Sequence, residues 1–440
     1  CSTRYLMANF HLKKLFRKLR WVVRAVVLGF VVGPAMWLLT TLVIKVSTLR
    51  VSYPYLLLAI PLGALLITWL YQVLGPYLRS GTAQVIEMIN QGILNISNPS
   101  SRGLEESNHQ NISVKMAPLL LISTIISHLV GASIGKEGAG VQIGASLGNY
   151  ISHLENIILP KKFEEHSRVN NGVWLISGAG AAFGALFNAP IAGTLFGLQF
   201  SSPNVNRTDA YVPCLVSSFT ACYVSKTLLH AKTLAPALAE SIGLDFKTTT
   251  YLVLIAILMG LESKLFCAMI NGYKRFLGNH FKNLWEKTIC CSILLIALTY
   301  LCFLATGDFS LNGLSANLIG KQVPWYVPLF KIILTIASLG CGFIGGEVIP
   351  IMVIGSTTAC ILTSVLGLPF SALAMFGSIG MLSAATNLPL ACFMLGLEIF
   401  GYANPIQLFM VCMISYAVSG FGGIYERQEK TMALEENWEA

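Results

Sequence analysis

The chain has 440 residues, of which 55% are hydrophobic and only 11% charged, with a formal net charge of +9 and a mean hydropathy of +0.68. A soluble domain of ordinary composition carries about 25% charged residues, so these values exclude a soluble protein and predict an all-α polytopic membrane protein. The eleven cysteines lie mostly inside apolar stretches (Cys214, Cys267, Cys302, Cys341, Cys392, Cys412), with no Cys-x-x-Cys or Cys/His spacing. They read as small core residues rather than a disulfide frame or zinc site, and no metal or other cofactor is expected.

From the N-terminus, Lys13, Lys14, Arg17, Lys18, Arg20 and Arg24 crowd the segment before the first apolar run. The positive-inside rule then predicts a cytoplasmic N-terminus, and with it a multi-pass protein of the plasma membrane whose C-terminus lies on the same side. Beside a membrane span such a segment faces lipid headgroups, and no nucleic-acid partner is expected. The basic region runs into a full span rather than a short apolar segment with a cleavage site, so no cleavable signal peptide is expected. Cys1 precedes Met7, which makes Met7 a candidate for the natural start.

Apolar runs recur between Trp21 and Ser419, among them Leu56–Leu74, Met116–Val130, Tyr251–Leu258, Leu294–Ala305, Leu329–Leu339 and Leu408–Val418. Several fall short of the ~20 residues of a full span and are broken by Gly or Pro, a pattern that predicts tilted or discontinuous helices. Asn95–Val114, Lys161–His166, Ala231–Lys247 and Asn279–Thr288 read as connections. The Asn-x-Ser triplets at Asn95 and Asn111 are too weak a signal to carry anything.

Two carboxylates stand at the start of long apolar stretches. Glu137 lies in Gly135-Lys136-Glu137-Gly138-Ala139-Gly140, and Glu347 in Gly345-Gly346-Glu347-Val348-Ile349-Pro350, each two places after a glycine. A carboxylate at membrane depth costs roughly 3 kcal/mol or more unless it has a partner or a task. Both motifs look like helix N-termini, whose unpaired N–H groups and positive dipole end favour a desolvated anion. The competing structural readings are a capping or Lys136-paired carboxylate for Glu137, an N-cap for Glu347, and an interfacial anchor for Tyr425. Glu87 and Glu398 read as hydrogen-bonding partners at helix ends, and His128 as a satisfied core histidine.

An internal repeat connects these motifs. Asn188-Ala189-Pro190-Ile191-Ala192-Gly193-Thr194-Leu195-Phe196-Gly197-Leu198 recurs as Asn387-Leu388-Pro389-Leu390-Ala391-Cys392-Phe393-Met394-Leu395-Gly396-Leu397, and Gly178 falls on Gly377 at the same offset. Duplication in a membrane protein implies two half-domains about a pseudo-two-fold axis, with broken helices pointing at a site near the midplane. The expected organisation is a basic cytoplasmic segment 1–20, a first repeat 21–230, a second repeat 231–428 and a short tail 429–440.

At these motifs the chain resembles the CLC family of chloride channels and anion/proton antiporters. Gly135-Lys136-Glu137-Gly138 resembles the family's G-K/R-E-G, whose glutamate is the external gate. Gly345-Gly346-Glu347-Val348-Ile349-Pro350 resembles G-G-x-F-x-P, and Gly423-Ile424-Tyr425 the place of the pore tyrosine. The resemblance covers roughly residues 20 to 428. It implies a CLC-like fold of tilted, discontinuous helices in two inverted repeats, assembled as a homodimer with one pore per subunit.

Departures from the family pattern refine this expectation. Chloride members carry an apolar residue where this chain has Glu347, and a glutamate there is similar to the fluoride/proton antiporter branch. That branch tends to place a threonine where this chain has Ile349. The family's G-S-G-I-P survives only as Arg79-Ser80-Gly81-Thr82-Ala83-Gln84, with Ser80 nearest its central serine. The internal proton-transfer glutamate of chloride exchangers falls at Phe200, with Gln199 before it.

The resemblance therefore implies an exporter of fluoride in exchange for protons, with Glu137 and Glu347 as gating and proton-coupling carboxyls. Ser80, Gly138, Val348, Ile349 and Tyr425 would be its anion-binding residues. A chloride channel or chloride/proton exchanger of the same fold is the alternative. An intramembrane enzyme is a remote one, since no His-Glu-x-x-His or Cys/His cluster is present.

Overall fold

The computed structural model describes residues 2–75, 81–97, 115–158, 167–203, 207–306, 318–420, 422–425 and 427–428. Among them there are helices and one isolated bridge but no strand. Inside a bilayer no water is available to backbone N–H and C=O groups, so a chain this apolar must satisfy them within helices. In chain order these are α1 Ser2–Ser52, α2 Ile60–Leu74, α3 Gly81–Ser97, α4 Met116–Leu129, α5 Glu137–Ile158, α6 Ser167–Phe187, α7 Pro190–Gln199 and α8 Tyr211–Cys222. There follow α9 Phe246–His280, α10 Leu284–Thr306, α11 Val327–Cys341, α12 Val348–Ile361, α13 Thr363–Leu366, α14 Phe370–Thr386, α15 Pro389–Phe400 and α16 Pro405–Ser419.

Four described helical stretches, within α1, from Pro54 through α2, and in α9 and α10, are long and apolar enough to cross a membrane. They carry many exposed apolar side chains, such as Leu62, Leu66, Trp69, Leu254, Leu261, Leu265, Ile293 and Leu301. Shorter helices fill the interior. Every residue of α14 from Ser371 to Thr386 is buried, and α12 is buried over nearly its whole length. A helix that is apolar on all sides belongs inside its bundle, and discontinuity lets these helices end within it.

The two halves carry the same devices as inverted repeats. Helix α6 ends at Phe187 and α7 starts at Pro190; α14 ends at Thr386 and α15 starts at Pro389. The break is made by Asn188 (φ 55°) and Asn387 (φ 60°), both left-handed, a conformation that asparagine tolerates better than most residues. The proline two residues on sits in the first turn, where its missing N–H costs nothing. Gly144 on α5 packs directly on the backbone of Gly178 on α6, and Gly355 on α12 packs in the same way on Gly377 of α14. Small residues let membrane helices approach this closely, where dispersion replaces the absent hydrophobic drive.

Some expectations about connections need correcting. Asn95–Ser97 belong to the end of α3, because the helix persists past its apolar stretch; residues 98–114 and Lys161–His166 lie outside the described residues. The basic segment does not stand apart but continues into the first span as one helix, α1. The stretch from Ala231 to Asp245 has no regular secondary structure and is strapped to α15 and α16. Ala239 N–H donates to Phe400 O (2.8 Å), Ile242 N–H to Asn404 Oδ1 (2.9 Å), and the Gln407 amide to Ile242 O (2.9 Å). Asp245 then caps α9, accepting from the Thr248 hydroxyl (2.7 Å) and N–H (3.1 Å). These two bonds hold its carboxyl below the usual carboxylate range.

Gly377→Val would drive a side chain into the Gly355 backbone. It is expected to cost about 1–3 kcal/mol, seen as a lower thermal midpoint of the detergent-purified protein. Gly272→Ala, inside α9 and meeting nothing within 4 Å, is expected to raise stability by about 0.5–1 kcal/mol, since helix propensity is gained with no clash.

Candidate functional site

Two glycine loops lead into α5 and α12, and they meet. Gly135 N–H donates to Gly346 O and Gly346 N–H to Gly135 O, each at 2.6 Å, forming a reciprocal antiparallel bridge. The serines behind the bridge are exchanged in the same reciprocal way. Ser133 N–H donates to Ser338 Oγ (2.9 Å), and Ile344 N–H donates to Ser127 Oγ (3.3 Å). Each serine hydroxyl in turn donates one turn back along its own helix, Ser127 to Ser123 O (2.8 Å) and Ser338 to Leu334 O (2.7 Å). Gly131 (φ 87°) and Gly342 (φ 90°) turn the chain out of α4 and α11 with the same left-handed geometry.

These pairs fix the register of the two halves. Ser127 is equivalent to Ser338, Gly131 to Gly342, Gly135 to Gly346 and Gly144 to Gly355. Glu137 therefore stands opposite Val348, and Glu347 opposite Lys136. The sequence motifs, read as Gly-x-Glu in both halves, are out of step by one residue. Glu137 is the first residue of α5, whereas Glu347 is the N-cap of α12 (φ −94°, ψ −13°).

Glu137 is 1% exposed. The backbone N–H groups of Lys136, Glu137 and Ile349 act on its carboxyl, so it draws on the N-termini of both α5 and α12. Its Oε2 makes no hydrogen bond of its own among the described residues. Lys136 does not hold the carboxyl in an ion pair; its ammonium donates to Thr40 Oγ1 of α1 (3.2 Å). Gly138 is required for the close approach, because a Cβ there would lie 2.9 Å from Gly346 Cα. Val348 and Ile349 are buried in the first turn of α12.

Glu347 and Tyr425 face the same cavity, of about 450 Å3, which is also lined by Tyr71 of α2, Gly81, Thr82 and Ala83 at the start of α3, and Gln142 of α5. The N-termini of α3 and α12 thus open onto one space. Tyr425 is placed by the segment around it. Ile424 N–H donates to Ala385 O (2.9 Å), and the Gln428 amide donates to Phe200 O and Thr386 O (3.2 Å each). Ser80 lies outside the described residues, immediately before Gly81.

Of the other candidates, Glu398 caps α7 from α15, accepting from Ile191 N–H (3.0 Å) and Ala192 N–H (2.8 Å). Glu87 pairs with Arg427 at a half-exposed position within α3. His128 is buried, and its Nδ1 bonds to Thr124 O one turn back (2.8 Å). Phe200 is buried and stacked on Phe196 at 5.2 Å, and Phe196 on Phe183 at 4.0 Å, so that position carries no titratable group.

Several residues at the site were not singled out from the sequence. Lys331 of α11, fully buried, donates to Ser133 Oγ (2.8 Å), which also bonds Thr335 Oγ1 (3.1 Å). Gln142 donates to Thr82 Oγ1 (3.0 Å). The Ser127/Ser338 exchange did have a signal. Thr124-Ile125-x-Ser127-x-x-x-Gly131-x-x-x-Gly135 recurs as Thr335-Ile336-x-Ser338-x-x-x-Gly342-x-x-x-Gly346. Among the described residues no group of His, Cys, Asp and Glu could hold a metal ion.

Comparison with known proteins places this geometry. The family model for voltage gated chloride channels matches residues 63–420. A chloride/fluoride channel protein of Pseudomonas syringae pv. tomato is 27% identical over 420 residues, covering 93% of this chain and 86% of its own. The crystal structure of a CLC-type fluoride/proton antiporter superposes with a TM-score of 0.82 at 26% identity, over 94% of this chain and 98% of that one. A slow cyanobacterial Cl−/H+ antiporter shares the fold, with a TM-score of 0.72 at 18% identity over 92% and 96% of the two chains. These matches overturn the intramembrane-enzyme alternative, since they describe channels and antiporters.

Ser338→Ala strands the Ser133 N–H in a buried site and is expected to cost about 1–3 kcal/mol. Ser127→Ala, at the longer of the two equivalent bonds, is expected to cost less. Thermal unfolding of both variants checks the order; equal, negligible shifts would show that the exchange does not hold the loops.

Proposed function

Since the chain belongs to the voltage-gated chloride channel family, we propose that this CLC-type anion transporter is a fluoride/proton antiporter that exports fluoride. Glu137 is its gating and proton-coupling carboxyl, and Glu347 is a second carboxyl in the pathway. The observation that carries the reading is Glu347 at the N-cap of α12, sharing a cavity with Tyr425. The relative named a chloride/fluoride channel and the 26% identical fluoride/proton antiporter support it.

Fluoride is small and strongly hydrated, and it accepts strong hydrogen bonds. A path for it must replace water with donors held ready. The N-termini of α5 and α12, the Tyr425 phenol and, when protonated, Glu347 supply them. Ser80, Gly138, Val348 and Ile349 complete the anion site, the backbone serving where the side chains are apolar.

Ionised Glu137 competes with the anion for the same helix ends. Taking up a proton removes that competition: the neutral carboxyl leaves, fluoride enters, and the proton is released on the other side when Glu137 returns as carboxylate. One group with two exclusive occupants couples the flows. The assembly is a homodimer with one pore per subunit, embedded in the plasma membrane with both termini cytoplasmic. Its halves divide as residues 21–230 and 231–428.

Chloride transport is the second reading, favoured by Ile349 in place of a threonine near the second carboxyl. Against a chloride exchanger stands the aromatic stack at Phe200, which leaves that position without a proton carrier.

Proteoliposomes loaded with fluoride or chloride, with proton movement recorded, test the assignment. Fluoride efflux is expected to exceed chloride efflux by tenfold or more, about 1.4 kcal/mol of discrimination; equal rates would falsify fluoride selectivity. Glu137→Gln is expected to abolish proton movement driven by the fluoride gradient. Glu347→Val is expected to impair both fluoride flux and coupling while the protein still elutes as a folded species.

A further inference from the structure

We propose that Cys291 and Cys341 are a redox-reactive dithiol behind the wall of the cavity that holds Glu347 and Tyr425. A hydroperoxide closes the pair to a disulfide, and the closed form slows anion passage. The dithiol stands apart from the proposed transport; its effect on flux rests on that reading.

Cys291 lies in α10 and Cys341 is the last residue of α11, and their side chains are hydrogen-bonded to each other. Both are buried, at 3% and 1% exposure, and both thiols are free. The Tyr273 hydroxyl of α9 donates to Cys291 Sγ (3.8 Å), so three helices meet at one pair of sulfurs. Gly340 makes room for that tyrosine, because a Cβ there would collide with the Tyr273 ring. Other buried thiols bond differently. Cys214 donates to Thr194 O (3.5 Å), Cys360 to Phe370 O (3.8 Å), and Cys392 meets the Thr386 hydroxyl (3.5 Å). Those are small packing residues with one weak hydrogen bond. A thiol whose neighbour is a second thiol has a partner for sulfur chemistry.

The pair backs onto the cavity. Leu284 and Lys287 line it from α10, and Cys291 follows them on the same helical face, two turns and one turn on. On the α11 side, Leu339, Gly342 and Phe343 line it and straddle Cys341. A space of about 450 Å3 has room for a small hydroperoxide. From there the oxidant is one helical turn from Cys291 and one residue from Cys341.

The Cys291 sulfur attacks the outer oxygen of the hydroperoxide. The O–O bond breaks, a sulfenic acid forms, and the displaced oxygen takes the thiol proton to leave as an alcohol, or as water from hydrogen peroxide. The Cys341 sulfur then attacks the sulfenic sulfur. The S–S bond forms, the S–O bond breaks, and the hydroxide leaves as water with the Cys341 proton. The two thiols together lose two electrons, and the peroxide bond gains them.

Cys341 stands directly before Gly342, whose left-handed turn (φ 90°) leads toward Gly346 and Glu347. A covalent tie between α10 and α11 at this point holds that turn against the cavity wall. Conformational steps of this kind set many turnover rates, so the tie acts on the rate of passage rather than on anion affinity.

The test treats the full chain in liposomes with hydrogen peroxide and then with a dithiol reductant. Wild type, C291S, C341A and C290S are compared, the last because Cys290 is the exposed neighbour. Fluoride flux and the proteolytic peptides, by mass spectrometry, are read at each stage. Wild type and C290S are expected to yield a linked peptide pair joining Cys291 to Cys341. Their flux at saturating fluoride is expected to fall roughly threefold or more, with half-saturation unchanged, and to recover with the reductant. C291S and C341A are expected to form no link and to keep their flux.

Absence of the linked peptides overturns the dithiol, and a link that leaves flux unchanged overturns its action on transport. Flux lost equally in C291S and C341A overturns that action too, because oxidation elsewhere would be the cause. A wild type that passes no anion above protein-free liposomes removes the transport reading, and the linked peptides alone then decide the dithiol. If one of the two variants fails to fold, the other decides, since the bond needs both sulfurs.

Discussion

Everything at this site hangs on the mutual pairing of Gly135 and Gly346. Two chain segments with no side chain at the contact exchange N–H and C=O groups inside the helix bundle. Backbone polar groups left open in such a place cost several kcal/mol each. The bridge satisfies two donors and two acceptors at once, and so permits irregular backbone where a membrane otherwise demands helix. Without it, α5 and α12 could not both begin inside the bundle, and their N-termini would not be available to an anion.

The surrounding packing serves that pairing. Gly138 must lack a side chain for Gly346 to come near, and Gly144 and Gly355 let α5 and α12 lie directly on α6 and α14. Ser127 and Ser338 each supply the hydroxyl that the opposite loop needs. The two loops are consequently braced across the axis as well as along their own chains. Deforming one loop therefore loads the other.

The fold and the general place of the site were legible in the sequence for separate physical reasons. Apolar runs too short to span gave discontinuous helices. The Asn-x-Pro breaks at Asn188 and Asn387 carried the repeat, because a left-handed residue followed by a helix-starting proline is a chemical requirement and survives divergence. The register of the glycine loops was harder to read. Gly345 and Gly346 are adjacent, either can be matched to Gly135, and the two glutamates drew the alignment one residue off. Only the Thr-Ile-x-Ser pattern in α4 and α11 resolves it, and its meaning emerges when each serine is seen to serve the other half. Gln142 and Lys331 were missed because a lone polar residue in a helix has no periodicity to betray a partner about 60 or 200 residues away.

The corrected register changes what the two carboxyls are. A pseudo-two-fold backbone presents two equivalent helix ends, and two equivalent ends would bind the same anion in the same way. The side chains break that equality by charge inversion at matched positions: Lys136 faces Glu347 in the comparison, and Glu137 faces Val348. On α5 the acid sits inside the first turn, where it can occupy the helix-end site itself, and the cation beside it turns away to Thr40. On α12 the acid sits one residue earlier, outside the helix, with Tyr425 in an open cavity, while an apolar residue takes the inner position. In the fluoride/proton antiport we propose, one carboxyl competes with the ion for the donors, while the other joins the donors when protonated. Directional coupling needs that inequality, and a symmetric frame can acquire it by shifting one acidic residue a single position along the chain.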